Sequence, residues 1–325
     1  MRHVIVFLLA VSVAHAEPLA WRAVWEWSCP KGTQADLIRL ADNAHALGFN
    51  VIMMSPPPKL IGFMADQCHQ RGMKLYLSTV FAGGDKSWRQ VMSPDEQERA
   101  KLPPTKGYMV GGEPLLAGEL FSDALPCYAR PEVHDYFRKI VTANATQPVD
   151  GLALDYVGYQ NYHRCYCPAC HGRDPEQVLI DFTNDMTAAA RQTNPKLKLA
   201  SHVYPWFSPD PYWGHRTDVD YVGQTVSWFF KPHWPLSKVA ERTAQLIRDQ
   251  HRVYPQHSAA PFIGFDAGKP QNYRSAKRVA AEIEIIKASG ARAMQVAELG
   301  YLLRKPLVAE AVARELGGTY GAPGR

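Results

Sequence analysis

The run Asp150-Gly151-Leu152-Ala153-Leu154-Asp155-Tyr156-Val157-Gly158-Tyr159 leads within a few residues to Cys165-Tyr166-Cys167-Pro168-Ala169-Cys170. A short apolar segment between two acidic residues reads as a strand buried on both faces. An acidic residue at the carboxyl end of such a strand lies where a parallel barrel holds its reactive groups. An aromatic loop follows, and then three clustered thiols.

Outward from this run, apolar strand-like segments alternate with amphipathic helical ones, the pattern of a parallel α/β protein. The expected strands are Leu19 to Trp25, Asn50 to Met54, Lys74 to Val80, Gly151 to Leu154, Leu197 to Val203, Val219 to Thr225, Pro261 to Phe265 and Ala293 to Ala297. Helices are expected between them. The first is capped by Thr33, runs through Leu37, Leu40, Ala41, Ala44 and Leu47, and stops at Gly48. Eight strand-helix pairs predict a single-domain (β/α)8 TIM barrel. The rival is a doubly wound open sheet. No Gly-x-Gly-x-x-Gly or Walker-type loop follows any strand, which argues against a nucleotide-binding version. Phe81 to about Arg130 reads as one long irregular excursion, a length usually reserved for function.

The N-terminus reads as a separate unit. Arg2 and His3 precede the apolar stretch Val4 to Val13, too short to span a bilayer as a helix, and Ala14-His15-Ala16 has the small-x-small form of a cleavage site. Residues 1–16 are therefore expected to be a signal peptide, with 17–325 as the catalytic domain, secreted or periplasmic. No other segment is long and apolar enough to span a membrane. The 325 residues carry a net charge of +5, with 46% hydrophobic residues and basic groups that are scattered rather than clustered. That composition suits a well-packed core and excludes a nucleic-acid footprint.

In a barrel, only strand C-termini and the loops after them face the site. This filter leaves Glu26, Asp155, Asp266 and Glu298 as carboxylates. Asp155, Glu298 and Asp266 are the candidate catalytic groups, because glycoside hydrolysis needs two carboxyls, one as acid and one as nucleophile or base. Glu26, Trp27, Tyr156, Tyr159, His202, Tyr204, Trp206, Gln224 and Trp228 are the candidate substrate-binding residues, since aromatic faces pack against the C–H faces of pyranose rings. Asp150, Asp218 and Asp220 begin strands at the opposite end and read as structural. Metal-binding His motifs and a Gly-x-Ser-x-Gly nucleophile elbow are absent.

The six cysteines are Cys29, Cys68, Cys127, Cys165, Cys167 and Cys170. Export favours disulfides. The Cys-x-Cys-x-x-Cys spacing is too crowded for three separate bridges and suits a tetrahedral zinc ion. Cys127 is the candidate fourth ligand, with His163 and His171 as alternatives. Either arrangement is structural, and no cofactor is expected for catalysis.

Val149 to Tyr159 resembles the Asp-Gly-(Ile/Leu)-x-(Leu/Phe)-Asp-Tyr strand of bacterial hypothetical glycosyl hydrolase-like barrel proteins. Pro131-Glu132-Val133-His134-Asp135-Tyr136 is similar to their Pro-Glu-Val-Arg-x-Tyr helix. Cys165 to Cys170 resembles the thiol cluster of family 42 β-galactosidases, where an earlier Cys completes a zinc site, as Cys127 would here. The resemblance implies a (β/α)8 enzyme with Asp155 as the catalytic carboxylate of the fourth strand. Where those galactosidases carry Asn-Glu after the fourth strand and Glu after the seventh, this chain has Leu154-Asp155 and Asp266. The expectation is an exported glycoside hydrolase that cleaves a poly- or oligosaccharide. The alternatives are a non-catalytic carbohydrate-binding barrel and a metal-dependent hydrolase.

Overall fold

The computed structural model describes residues 19–27, 32–91, 93, 108–110, 113–115, 125–155, 157–159, 164–203, 213–227, 233–265 and 274–321. Eight strands close into a parallel barrel: β1 (Trp21–Glu26), β2 (Val51–Met54), β3 (Lys74–Val80), β6 (Gly151–Asp155), β7 (Lys198–Val203), β8 (Tyr221–Ser227), β9 (Ser258–Gly264) and β10 (Ala293–Ala297). The order around the barrel is β1-β10-β9-β8-β7-β6-β3-β2. A small antiparallel hairpin, β4 (Tyr108–Val110) with β5 (Glu113–Leu115), lies in the excursion that the sequence pattern left irregular. The α-helices among the described residues are α1 (Gln34–Ala46), α2 (Ile61–His69), α3 (Pro131–Ala145), α4 (Pro175–Thr193), α5 (Leu236–Val253), α6 (Ala276–Ala288), α7 (Leu299–Leu303) and α8 (Pro306–Leu316).

Local chemistry starts the helices where the pattern expects. The Thr33 side chain accepts from the Asp36 N–H while Asp36 reaches back to the Thr33 N–H, a capping box for α1. Asp174 caps α4 ahead of Pro175, whose missing N–H is no loss in a first turn. Acids at the strand starts hold neighbouring strands in place. Asp150 accepts from the Leu75 N–H at 2.9 Å, and Asp220 accepts from the Leu199 N–H at 3.0 Å and pairs with Lys198 at 2.7 Å.

Each strand sends alternate residues inward and outward. Val24, Ile52, Leu75, Leu77, Leu152, Leu154 and Val222 point outward and pack with helix residues such as Leu37, Met64, Phe137 and Phe182. Trp21, Ala23, Trp25, Val51, Met53, Tyr76, Ala153, Ala200, Ala260 and Phe262 fill the interior. At the N-terminal end Trp21 stacks on Tyr221 with centroids 4.1 Å apart, closing the barrel floor. In the middle layer the Gln295 side chain crosses the interior. Its Oε1 accepts from Trp25 Nε1 at 2.9 Å and its Nε2 donates to the Ser201 carbonyl at 3.1 Å.

Gly223 makes room for that crossing. A Cβ there would lie 2.2 Å from both the Gln295 amide nitrogen and the Ser201 carbonyl oxygen, and the latter belongs to backbone that cannot yield. Gly223→Ala should therefore cost roughly 1–3 kcal/mol or more, the range of overpacked cores. Urea denaturation of the two proteins side by side checks this.

Candidate active site

The top layer of the barrel gathers the groups with chemistry. Asp155 ends β6 on the same face as Ala153, so its side chain turns into the barrel mouth, where it is 1% exposed. Its backbone carbonyl accepts from the Phe81 N–H at 3.0 Å, which fixes the strand end. Asp155 Oδ1 lies 3.3 Å from Nδ1 of His202 on β7, and His202 Nε2 lies 3.3 Å from Thr225 Oγ1 on β8. Phe262 on β9 stacks on the His202 ring with centroids 3.7 Å apart. Trp27 is inclined by 29° to the His202 ring at 6.4 Å and by 28° to the Phe262 ring at 6.5 Å. Burial pushes the His202 imidazole below its ordinary value, and the neighbouring Asp155 carboxylate offsets only part of that.

Two large apolar side chains remain open at this end. Trp27 is 38% exposed just past β1, and Val80 is 43% exposed at the end of β3, in register with Asp155. Trp27 thus offers an aromatic surface beside the buried Asp155–His202 pair.

The structure separates the sequence-derived candidates. Asp155 and His202 meet in the mouth, with Trp27 above His202. Asp155 and His202 are both enclosed, each 1% exposed. Three residues expected to line the site do not face it. Glu26 follows the inward Trp25, so alternation turns it outward beside Val24, where it is 2% exposed. Gln224 shares the outward face of Val222 and Val226, and its buried amide lies behind the barrel wall. Tyr159 is buried in the outer core, with its hydroxyl donating to the Pro175 carbonyl at 2.6 Å. Glu298 sits at the N-cap position of α7 without a side-chain cap bond, and its carboxylate accepts from Arg304 at 3.1 Å. Tyr156, Tyr204, Trp206, Trp228 and Asp266 lie outside the described residues. Thr225 and Phe262 are the groups that the sequence reading missed. Strand parity, with Tyr221 placed inward, is the signal that finds Thr225.

Cys127, Cys165, Cys167 and Cys170 converge beside the mouth, all buried, with their sulfur atoms within 4.8 Å of one another. Cys127 Sγ lies 3.3 Å from the Sγ atoms of Cys167 and Cys170. These are contacts between free thiols, well beyond a disulfide's bond length of about 2.05 Å. Hydrogen bonds from Cys127 and Cys170, with the Val91 and Cys167 N–H groups adding to them, hold the Cys165 thiol far below the usual range. The bonds it shares with Cys165 and Cys170 push Cys127 up. Four buried sulfurs gathered this closely have the donor set and spacing of a tetrahedral site, and the cluster could bind a metal. Cys29 and His163 lie outside the described residues. Among the described residues no helix is long and apolar enough to cross a membrane.

No family model matches the chain. No curated protein matches it either. Solved structures do match, and at their low identity the likeness shows the barrel fold. The PgaB (BpsB) glycoside hydrolase domain from Bordetella bronchiseptica is similar with a TM-score of 0.59 at 14% identity, covering 91% of this chain and 98% of that one. A β-galactosidase from the psychrophilic Marinomonas ef1 has a TM-score of 0.59 at 10% identity, covering 91% of this chain and 59% of that one. A GH5_18 protein from Streptomyces cattleya in complex with Manb1-4GlcNAc has a TM-score of 0.57 at 12% identity, over 94% of this chain and 82% of that one.

A folded-state value below the unfolded 6.5 means that the unfolded chain takes up the His202 proton first. Its contribution to stability is complete above about pH 6.5 and is lost as pH falls toward the folded value. His257, also lowered by burial, adds in the same direction. Denaturation midpoints should therefore drop between pH 7 and pH 5, and His202→Gln should flatten that slope without abolishing it.

Proposed function

We propose that this chain is an exported glycoside hydrolase acting on a poly- or oligosaccharide, with Asp155 as one of its two working carboxyl groups. The observation that carries the reading is the placement of Asp155 at the barrel mouth against His202, with the exposed Trp27 ring 6.4 Å from the His202 ring. Trp27 is the sugar platform. A pyranose stacked there would present its ring substituents toward the end of β6 and the end of β3, where Val80 adds apolar wall. Catalysis by paired carboxyls needs no cofactor. Glu298 and Asp266 are the candidates for the second carboxyl. Each follows a barrel strand, β10 and β9 respectively. Export rests on the leader at residues 1–16, which lies outside the described residues.

Asp155→Asn should lower turnover of a cleaved oligosaccharide by about 10³-fold or more, within the range for loss of a catalytic acid, base or nucleophile. The melting temperature should stay near that of the parent, because an amide still accepts from His202. Reducing-end release from a panel of plant, bacterial and host glycans measures it. An undiminished rate would remove Asp155 from the mechanism. Parallel tests of Glu298→Gln and Asp266→Asn identify the partner.

A non-catalytic carbohydrate-binding barrel is the second reading. Glu26 faces the helices and the Glu298 carboxylate is tied to Arg304, so two of the four expected acids are engaged elsewhere. Glycan binding through Trp27 with no cleavage of any bound sugar would favour it.

The four thiols are assigned a structural zinc ion. Four protein sulfurs leave no open position for a substrate, so the ion would pin loops and take no part in the reaction. Elemental analysis of the purified protein should find about one zinc per chain. Cys165→Ser should lose the metal and lower the melting temperature, while Cys68→Ser, outside the cluster, should keep it.

A further inference from the structure

We infer that Thr225 and His202 act as positioning residues for Asp155. The Thr225 hydroxyl donates to Nε2 of His202 and, together with the Asp155 carboxylate, holds the ring in the tautomer that carries its proton on Nδ1, which aims an N–H donor at Oδ1 of Asp155. The inference rests on the reading of Asp155 as a working carboxylate and adds the device that orients it.

The geometry leaves little freedom. Thr225 is wholly buried on β8, inward like Gly223 and Tyr221, and its hydroxyl lies 3.3 Å from His202 Nε2. The other ring nitrogen faces Asp155 at 3.3 Å. Phe262 covers one face of the imidazole at 3.7 Å, and Trp25 approaches it at 6.0 Å with its plane tilted by 52°. A neutral imidazole has one donor and one acceptor nitrogen. Burial disfavours the doubly protonated ring, so the neutral form holds at physiological pH.

Two tautomers then compete. With the proton on Nε2, the lone pair of Nδ1 would face a carboxylate oxygen, acceptor against acceptor, in a site where no water can intervene between them. With the proton on Nδ1, the carboxylate accepts from the ring. Nε2 becomes the acceptor, and the threonine hydroxyl, which can donate or accept, supplies the matching proton. Every group in the chain Thr225–His202–Asp155 is then satisfied in one direction. The carboxylate sets the preference, and the hydroxyl stabilises the preferred tautomer by donating to an Nε2 that would otherwise be buried as an unmet acceptor. Asp155, accepting at Oδ1 from a neutral ring, is suited to the nucleophile or base half of a carboxyl pair. The acid half falls to the partner.

The test uses the full-length protein with imidazole nitrogen-15 labelling, the His202 signals being assigned by their loss in His202→Gln. The expected wild-type spectrum shows Nδ1 protonated and Nε2 bare. Thr225→Val, which removes the hydroxyl at nearly constant volume, should shift His202 toward the other tautomer or a mixture. Thr225→Ser should restore the wild-type pattern. A protonated Nε2 in the wild type, or a Val variant indistinguishable from it, overturns the inference whether or not the protein cleaves a sugar. On an oligosaccharide that the wild type hydrolyses, Thr225→Val should lower kcat by about tenfold with KM little changed, and Ser should recover it, as for partners that orient a functional group from behind. Equal losses in Val and Ser would reduce Thr225 to packing and overturn the inference. If the tautomer is as expected and no glycan is turned over, the relay stands and the hydrolase reading falls.

Discussion

A closed barrel of eight parallel strands has an interior that admits only alternate side chains from each strand, and the mouth of this protein is decided by which ones those are. Small residues at Ala23, Ala153, Ala200, Gly223 and Ala260 leave space that Trp25, Gln295 and Phe262 occupy. The Gln295 amide spans that space from β10, accepting from the indole of β1 and donating to the backbone of β7. A polar group in such a place is tolerable only when its bonds are made, and here both ends of the amide are paired. The result is a dry, bonded shelf. Asp155, His202 and Thr225 stand on it one layer higher, each at the inward position next above a small interior residue of its own strand.

That dependence on parity explains which features were legible in the sequence. Apolar runs of strand length separated by helical periodicity suffice for eight strands and hence for the barrel. The third and eighth strands have the expected bounds, and the others differ at one or both ends. Such shifts do not matter for the fold, but within the site they decide everything. A shift of one residue exchanges the two faces of a strand. Gln224 and Thr225 are neighbours, and only the second enters the barrel. Glu26 and Trp25 stand in the same relation. Chain neighbours alone do not say which member turns inward, because both faces of a parallel strand are buried. Register with the adjoining strands distinguishes them, and register is a property of partners far away in the chain. Pro261 shows a different limit. A proline normally opens a strand or sits at its edge, yet here it lies inside β9, opposite Gln224 and close to the irregularity that separates Thr225 from Ser227.

The thiol cluster was legible for the opposite reason. Three of its members are packed into six residues, so chain geometry alone brings them together. The fourth required an inference across the fold, and Cys127 fulfils it because the segment before α3 is tied down locally. The Cys127 N–H donates to the Trp88 carbonyl at 2.7 Å, and the Val91 N–H donates to Cys165 Sγ at 3.3 Å. Three stretches that follow or precede different barrel strands therefore meet at one point beside the end of β6.

A second anchor lies across the mouth, on the side of β8 and β9, and it works by charge instead of sulfur. Glu282 of α6 is wholly buried, and its Oε1 accepts from Ser227 at 2.8 Å and from Arg278 at 2.6 Å. Arg274 approaches the same oxygen at 3.6 Å and donates to the Gly264 carbonyl at 2.6 Å. A buried ion pair gains little net stability over an apolar replacement, since both charges leave water. What it confers is position. Gly264 and Arg274 flank the segment that carries Asp266, and the guanidinium ties one end of that segment to the other while Glu282 holds the guanidinium to the helix layer. Two anchors of unrelated chemistry thus fix the roots of the loops on opposite sides of Asp155. If Asp155 works as one of a carboxyl pair, its partner must be delivered within a fraction of an ångström. In a barrel whose mouth is built from different strands, that precision has to be built at the loop roots, which is where this chain places the Glu282–Arg274 pair and the thiol cluster.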